Sequence, residues 1–268
     1  MNASNPVEYV STRIWQEEQE PGNEFATRVA RCHGYDVYGE MLGRASWADM
    51  IYLLFRGEAP TPVQAGALDA LAVALANAGP RDAAVHAAMC GGVGGSTAAS
   101  CLIAALAVGA GQLAGGREVV LAMRRWETCG LDLEAWQQDL RRKPTAIASV
   151  WPTPEHPPGF DPHALQTSTL AVQTLACLAG RGVQARLSWL RLHREALEEA
   201  AGCPLALTGV AAAALADLGF SPDEGEMMYL MLRLPGAAVH ALEQRALGHR
   251  QFPFFTIAVE SDAMGAAA

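Results

Sequence analysis

The chain has 268 residues, 51% of them hydrophobic and 18% charged, with a formal net charge of −9. That length and balance give one large domain, or a large domain carrying a smaller insertion, with enough apolar material for an extensive core and a subunit interface. The acidity excludes nucleic acid as the main partner, because phosphate binding needs a concentrated basic surface and the pairs Arg124-Arg125 and Arg141-Arg142 do not make one.

Residues 1–30 are polar and rich in Glu and Gln, and read as an arm that orders only against something else. His33-Gly34-Tyr35-Asp36-Val37-Tyr38 is a turn leading into a helix. Ser46 with Asp49 forms a capping box for a helix carrying Trp47, Met50, Ile51, Leu54 and Phe55, stopped by Gly57. Thr61-Pro62 starts the next helix, with Thr as N-cap and Pro in the first turn, running to about Asn77. The same start signal recurs at Asp161-Pro162 and at Ser221-Pro222. Helical patterns follow at 133–142, 162–180, 184–200, 205–219 and 222–247, and only Phe254–Val259 has the look of a strand. The predicted class is all-α.

Ala87 to Gly116 is a run of thirty residues without a charge. It is long enough to cross a bilayer, yet it is mostly Ala and Gly, and glycines break both ends, so a membrane span is rejected. Small residues allow close backbone approach, which suits the central helix of the core or a subunit interface. Lys143 to Pro158 holds five prolines and is a loop, long enough to be a candidate functional segment. The six cysteines form no CxxC and no zinc spacing, so no metal is expected. They read as buried small hydrophobes in a reducing compartment, and without a leader pattern the expected location is cytoplasmic.

Taken alone, the residues offer few chemical candidates. Gly91–Gly95 followed by Ser96-Thr97 is either an anion cradle at a helix start or a place where glycines let helices pack and Ser96 caps the next one; the P-loop lysine is missing. His86 reads as a half-buried residue near a helix end. Arg233, inside Met231-Leu232-Arg233-Leu234-Pro235-Gly236, is a guanidinium in an apolar stretch that must find a carboxylate or a ligand.

Four segments in order resemble the citrate synthase superfamily, and within it citryl-CoA lyases and the citrate-synthase-like module of ATP-citrate lyase. Gly34-Tyr35-Asp36, Ala45-Ser46-Trp47 and Tyr52 to Thr61 resemble the family's opening. Cys90 to Thr97 stands in the place of the lyases' DHGLTPST. Leu113-Ala114-Gly115-Gly116 resembles the GPLHGG turn. Leu205-Ala206-Leu207-Thr208-Gly209 through Arg233, Gly236 and His240 to Gln244 resembles the run that begins LNVDG. The likeness spans about 33–255. It implies a citrate synthase-like fold: a large helical domain (31–160 and 236–268), a smaller inserted helical domain (161–235) and the arm 1–30. It also implies a homodimer, a coenzyme A thioester as substrate rather than a tightly bound cofactor, and a C-terminal arginine reaching the neighbouring site.

Family chemistry removes a proton beside a thioester carbonyl and joins or parts a carbon–carbon bond. It calls for a carboxylate base, a donor for the enolate oxygen and arginines for carboxylates. This chain departs from that set. The GPLHGG histidine is Ala114, the DHG histidine is Gly91, and the LNVDG aspartate is Thr208, which cannot act as a base near neutral pH. The remaining histidine of the pattern falls on Pro154 or, with a two-residue gap, on His156. Asp161 reads either as the N-cap before Pro162 or, with His156 and His163, as a relocated acid/base cluster. Arg233, His240 and Arg250 keep family types and, with Ser96, are the expected contacts to substrate.

Two readings stand. One is an enzyme acting on an acyl-CoA or a tricarboxylate, with His156, Asp161 and His163 catalytic. The other is a non-catalytic dimeric subunit or carboxylate sensor of the same fold, paired with an intact paralogue. Losing a general base costs on the order of 10²–10⁴ in rate, which weights the balance toward lost or altered activity.

Overall fold

The computed structural model describes residues 12–142, 156–183 and 185–252. Among them are ten α-helices and a small three-stranded sheet in the order β1-β2-β3, so the chain is all-α in class.

The strands are where the sequence reading misses. Residues 16–30, part of the stretch expected as an arm that orders only against something else, form with 31–32 an antiparallel hairpin of β1 (Gln16–Glu20) and β2 (Asn23–Cys32), turned at Gly22, and β3 (Tyr35–Asp36) pairs with the end of β2. Charge does not prevent pairing here, because opposite charges on the two strands reach each other diagonally, Glu18 standing opposite Val29. Glu18 holds Arg28 and Arg31, each at 2.7 Å, and Arg31 draws its carboxyl below the usual value. The expected strand Phe254–Val259 lies outside the described residues, as does most of the proline-rich loop.

The helix-start signals hold for the first two helices. Ser46 and Asp49 cap α1 (Trp47–Arg56) reciprocally, and Gly57 ends it in the left-handed region. Thr61 and Gln64 do the same for α2 (Pro62–Leu75). After these come α3 (Ala83–Val93), α4 (Ala98–Gly109), α5 (Gly116–Cys129), α6 (Leu133–Arg141), α7 (Thr169–Ala179), α8 (Ala185–Ala201), α9 (Leu207–Asp217) and α10 (Pro222–Leu247). Asp161-Pro162 starts no helix. The Asp161 carboxylate accepts from the backbone N–H of His163 in a local turn, and α7 begins seven residues later, capped by Ser168. Ser96 is likewise not a cap, since Thr97 Oγ1 takes the Ser100 N–H at the start of α4.

The chain divides into two compact units, 1–77 with 109–233 and 78–108 with 234–268. Within the first unit α7 packs on α2 and α9 packs on α5. The helix at the centre of that unit is α9, where every residue from Thr208 to Leu215 is buried. It is alanine-rich like the uncharged run, so composition alone does not tell a core helix from one suited to a subunit interface. On α4, Ile103 and Val108 are exposed.

The second unit has its own core of Val85, Ala88, Met89, Cys101, Ala105, Ala237, Ala241 and Phe252. Gly91 and Gly92 lie inside α3. A Cβ on Gly92 would stand 2.2 Å from the Ala241 carbonyl oxygen, so that glycine serves close helix packing, the plainer of the two readings of the run. No helix among the described residues is long and apolar enough to cross a membrane.

Candidate active site

The site lies in the first unit and begins with a charge on the wrong face of a helix. On α5 the buried stripe runs Glu118, Ala122, Trp126, at the four-residue spacing that keeps side chains on one face. Glu118 is 2% exposed. Burying a carboxylate is costly unless donors surround it, and three do. Oε1 accepts from the Thr208 hydroxyl at 2.7 Å and from the Gly159 N–H at 2.9 Å, and Oε2 accepts from the Ala114 N–H at 2.6 Å.

Each donor is held by its own local geometry. Ala114 sits at φ 52, a left-handed conformation that costs an L-residue roughly 1–2 kcal/mol. Its carbonyl oxygen receives the Tyr229 hydroxyl at 3.0 Å and the Arg233 guanidinium at 2.9 Å, and these bonds fix the turn. Gly159 is placed by a short antiparallel pairing of 159–161 with 204–206, through Ala206 N–H to Gly159 O, Asp161 N–H to Pro204 O and the bridge Phe160–Leu205. Two glycines make this crossing possible, for a Cβ on Gly209 would meet the Gly159 carbonyl oxygen at 2.4 Å. Arg125 pins the preceding residue by donating to Pro158 O at 2.9 Å while pairing with Asp139. Thr208 stands in the first turn of α9, whose N-cap, Ala206, offers no side-chain acceptor. Glu118 therefore places its charge close to the positive end of that helix dipole.

The fourth neighbour is His156. Its side chain is 10% exposed and its Nε2 lies 3.9 Å from Glu118 Oε1, too far for a hydrogen bond. That nitrogen is buried and has no hydrogen-bond partner among the described residues.

Of the three residues expected to be catalytic, only His156 reaches this cluster. Asp161 is half-buried and its carboxylate serves the local turn, while His163 is exposed. Arg233 is 9% exposed and donates to the Ala114 carbonyl oxygen, with its guanidinium carbon 4.9 Å from the centre of the Tyr229 ring. The predicted need of that buried guanidinium is met in part by backbone and an aromatic face. Ser96, His240 and Arg250 belong to the second unit. There the Ser96 carbonyl oxygen accepts from Arg245, His240 Nδ1 lies 3.5 Å from Glu243, and Arg250 is exposed in a short 3₁₀ turn. His86 of the same unit packs its ring on Phe252.

Glu118 was missed at the sequence level. The signal that singled out Arg233, a charge inside an apolar stripe, was present in Arg117-Glu118-Val119-Val120 as well.

No protein-family model matches this sequence, and no curated protein matches it significantly. Solved structures do. Citryl-CoA lyase from Hydrogenobacter thermophilus superposes with a TM-score of 0.70 at 19% identity, covering 95% of this chain and 97% of that one. The chain has a citrate synthase-like fold. Two ATP citrate lyases share this fold over part of their length. The enzyme from Methanothrix soehngenii, in complex with citrate and coenzyme A, gives a TM-score of 0.71 at 17% identity over 98% of this chain. A variant from Methanosaeta concilii, in complex with (3S)-citryl-CoA, gives 0.70 at 17% over 97%. The chain spans 44% and 43% of those two proteins. Within this citrate synthase-like fold, no group of three His, Cys, Asp or Glu side chains able to hold a metal occurs among the described residues.

Proposed function

We propose that this protein binds an acyl-CoA thioester or a tricarboxylate-type ligand and makes or breaks a carbon–carbon bond beside a thioester carbonyl, with Glu118 and His156 at the reacting centre. In the cleavage direction a β-hydroxy thioester loses its hydroxyl proton and the carbon–carbon bond breaks. That bond's electron pair becomes the enolate of the acyl thioester, the oxo acid departs, and the enolate carbon takes up a proton. A buried carboxylate facing a buried ring nitrogen that has no partner of its own among the described residues is the observation that carries this reading. Such a pair is a place where a polar ligand atom gains two partners at once. Support also comes from the fold shared with citryl-CoA lyase and from the citrate, coenzyme A and citryl-CoA present in the two ATP citrate lyase structures.

The test is direct. Purified protein mixed with citryl-CoA yields acetyl-CoA and oxaloacetate under this proposal, followed by chromatography, and calorimetry with coenzyme A and with citrate gives the binding. The absence of both turnover and binding would contradict it.

A second reading, a non-catalytic subunit or carboxylate sensor, is favoured by Ala114 and Thr208 at positions where the resembled family carries a histidine and an aspartate. Binding without turnover, or co-purification with an intact paralogue, supports that reading. Under either one we place the protein in the cytoplasm as a homodimer. Supporting this are six free cysteines and the exposure of Ile103 and Val108 on the alanine-rich helix. Light scattering at twice the monomer mass tests the dimer.

A further inference from the structure

We infer that Glu118 is the base that takes the α-proton of the acyl thioester, with His156 Nε2 as the donor to the thioester oxygen. The carboxylate lost at position 208 is thus supplied from α5, across a hydrogen bond. This inference rests on the carbon–carbon chemistry proposed above and assigns its proton-transfer step.

Two buried acids can be compared. Asp217, the other fully buried carboxylate among the described residues, is committed to structure. It takes the backbone N–H groups of Arg186 and Leu187 at the start of α8 and pairs with the Arg186 guanidinium at 3.4 Å. Glu118 has no arginine or lysine within 4 Å among the described residues, and the one basic group facing it there is His156, whose Nε2 is itself unpartnered. An ionised carboxylate offers about four acceptor positions. Three are filled, two on Oε1 and one on Oε2, so an acceptor position remains open on Oε2. Two of the three donors are backbone N–H groups that cannot turn away. The third, the Thr208 hydroxyl, rotates about its Cβ–Oγ bond and can free an Oε1 lone pair without any backbone movement. The arrangement therefore holds an anion rigidly, leaves it one open lone pair and gives it a second on demand, with an unused ring N–H or lone pair 3.9 Å away.

The proton step balances with these groups alone. The C–H bond next to the thioester carbonyl breaks and its proton passes to the Glu118 carboxylate. The C–H electron pair becomes the new C=C bond, and the carbonyl π pair moves to the oxygen, which accepts a hydrogen bond from His156 Nε2–H. Return of the proton from Glu118 to carbon reverses the step, and in deuterated water the returned atom is deuterium.

Exchange of the acetyl-CoA methyl protons, followed by ¹H NMR in deuterated water, tests this in wild type, Glu118→Gln, Glu118→Asp and the double variant Glu118→Gln/Thr208→Asp. Thermal denaturation reports folding, and calorimetry reports acetyl-CoA affinity. Glu118→Gln is expected to lower exchange by about 10²–10⁴ with affinity within about threefold, and moving the acid to position 208 to restore at least tenfold. If Glu118→Gln does not fold, Glu118→Asp decides: the acid is kept but drawn back by one methylene, and a drop of tenfold or more is expected. Folded Glu118→Gln that exchanges within threefold of wild type, or Glu118→Asp at the wild-type rate, overturns the assignment of Glu118 and leaves standing only the carbon–carbon chemistry on a thioester. Wild type that does not exchange at all overturns both.

Discussion

Glu118 Oε1 accepts the hydroxyl proton of Thr208 at 2.7 Å, joining the first turn of α5 to the first turn of α9 across ninety residues of sequence. Position 208 carries no acid, yet an acid stands one hydrogen bond from it.

Removing the donor isolates its part in holding that charge. Thr208→Val keeps the shape of the side chain and deletes the hydroxyl, leaving a 2%-exposed carboxylate with two donors instead of three. A loss of about 1–3 kcal/mol in urea unfolding is expected. Unchanged stability would show that Glu118 does not depend on this bond.

Backbone strain at Ala114 gives a prediction of the opposite sign. Its φ of 52 costs an L-residue roughly 1–2 kcal/mol, and glycine's extra freedom in the unfolded chain takes back roughly 0.5–1 kcal/mol. Ala114→Gly is expected to melt at the same temperature or a few degrees higher. A marked fall in melting temperature would mean that the Ala114 methyl contributes packing greater than the strain.

How much of this could be read from the residues alone depended on whether the information was local. The Ser46/Asp49 and Thr61/Gln64 caps lie three residues apart, and their helices start where expected. Order and spacing of short motifs carried the fold as well. Asp161-Pro162 offered the same local signal and failed, because residues 159–161 pair instead with 204–206, a choice made by distant chain. The hairpin over 16–32 was hidden behind its charges, since nothing in one strand reveals that Glu18 will reach Arg28 and Arg31. His156 was found and Glu118 was not. The histidine was reached by counting from a motif, whereas the acid required noticing a charge on the buried stripe of α5.

Asp217 carries the pH prediction. Burial pushes its carboxyl above the usual value, against the lowering effect of the Leu187 and Arg186 N–H groups and the Arg186 guanidinium. The folded state then holds the proton more tightly than the unfolded chain does. The group's contribution is full below the unfolded carboxylate value of about 3.9 and is lost as pH rises through the elevated folded one. Asp217→Asn does not titrate there, so the stability of wild type relative to that variant is expected to fall as pH rises above about 4. Urea unfolding of both proteins across that range checks it. A difference that stays level, or grows in favour of wild type with pH, would contradict the direction.

The claim on which the rest depends is that acid–base chemistry on a thioester survives here around Glu118 and His156. Incubation of the purified protein with (3S)-citryl-CoA, with acetyl-CoA quantified over time against Glu118→Gln, tests it most directly. The prediction is acetyl-CoA formation by wild type at a rate at least a hundredfold above that of Glu118→Gln. Binding of citryl-CoA by wild type, with acetyl-CoA formed no faster than by Glu118→Gln, would contradict it.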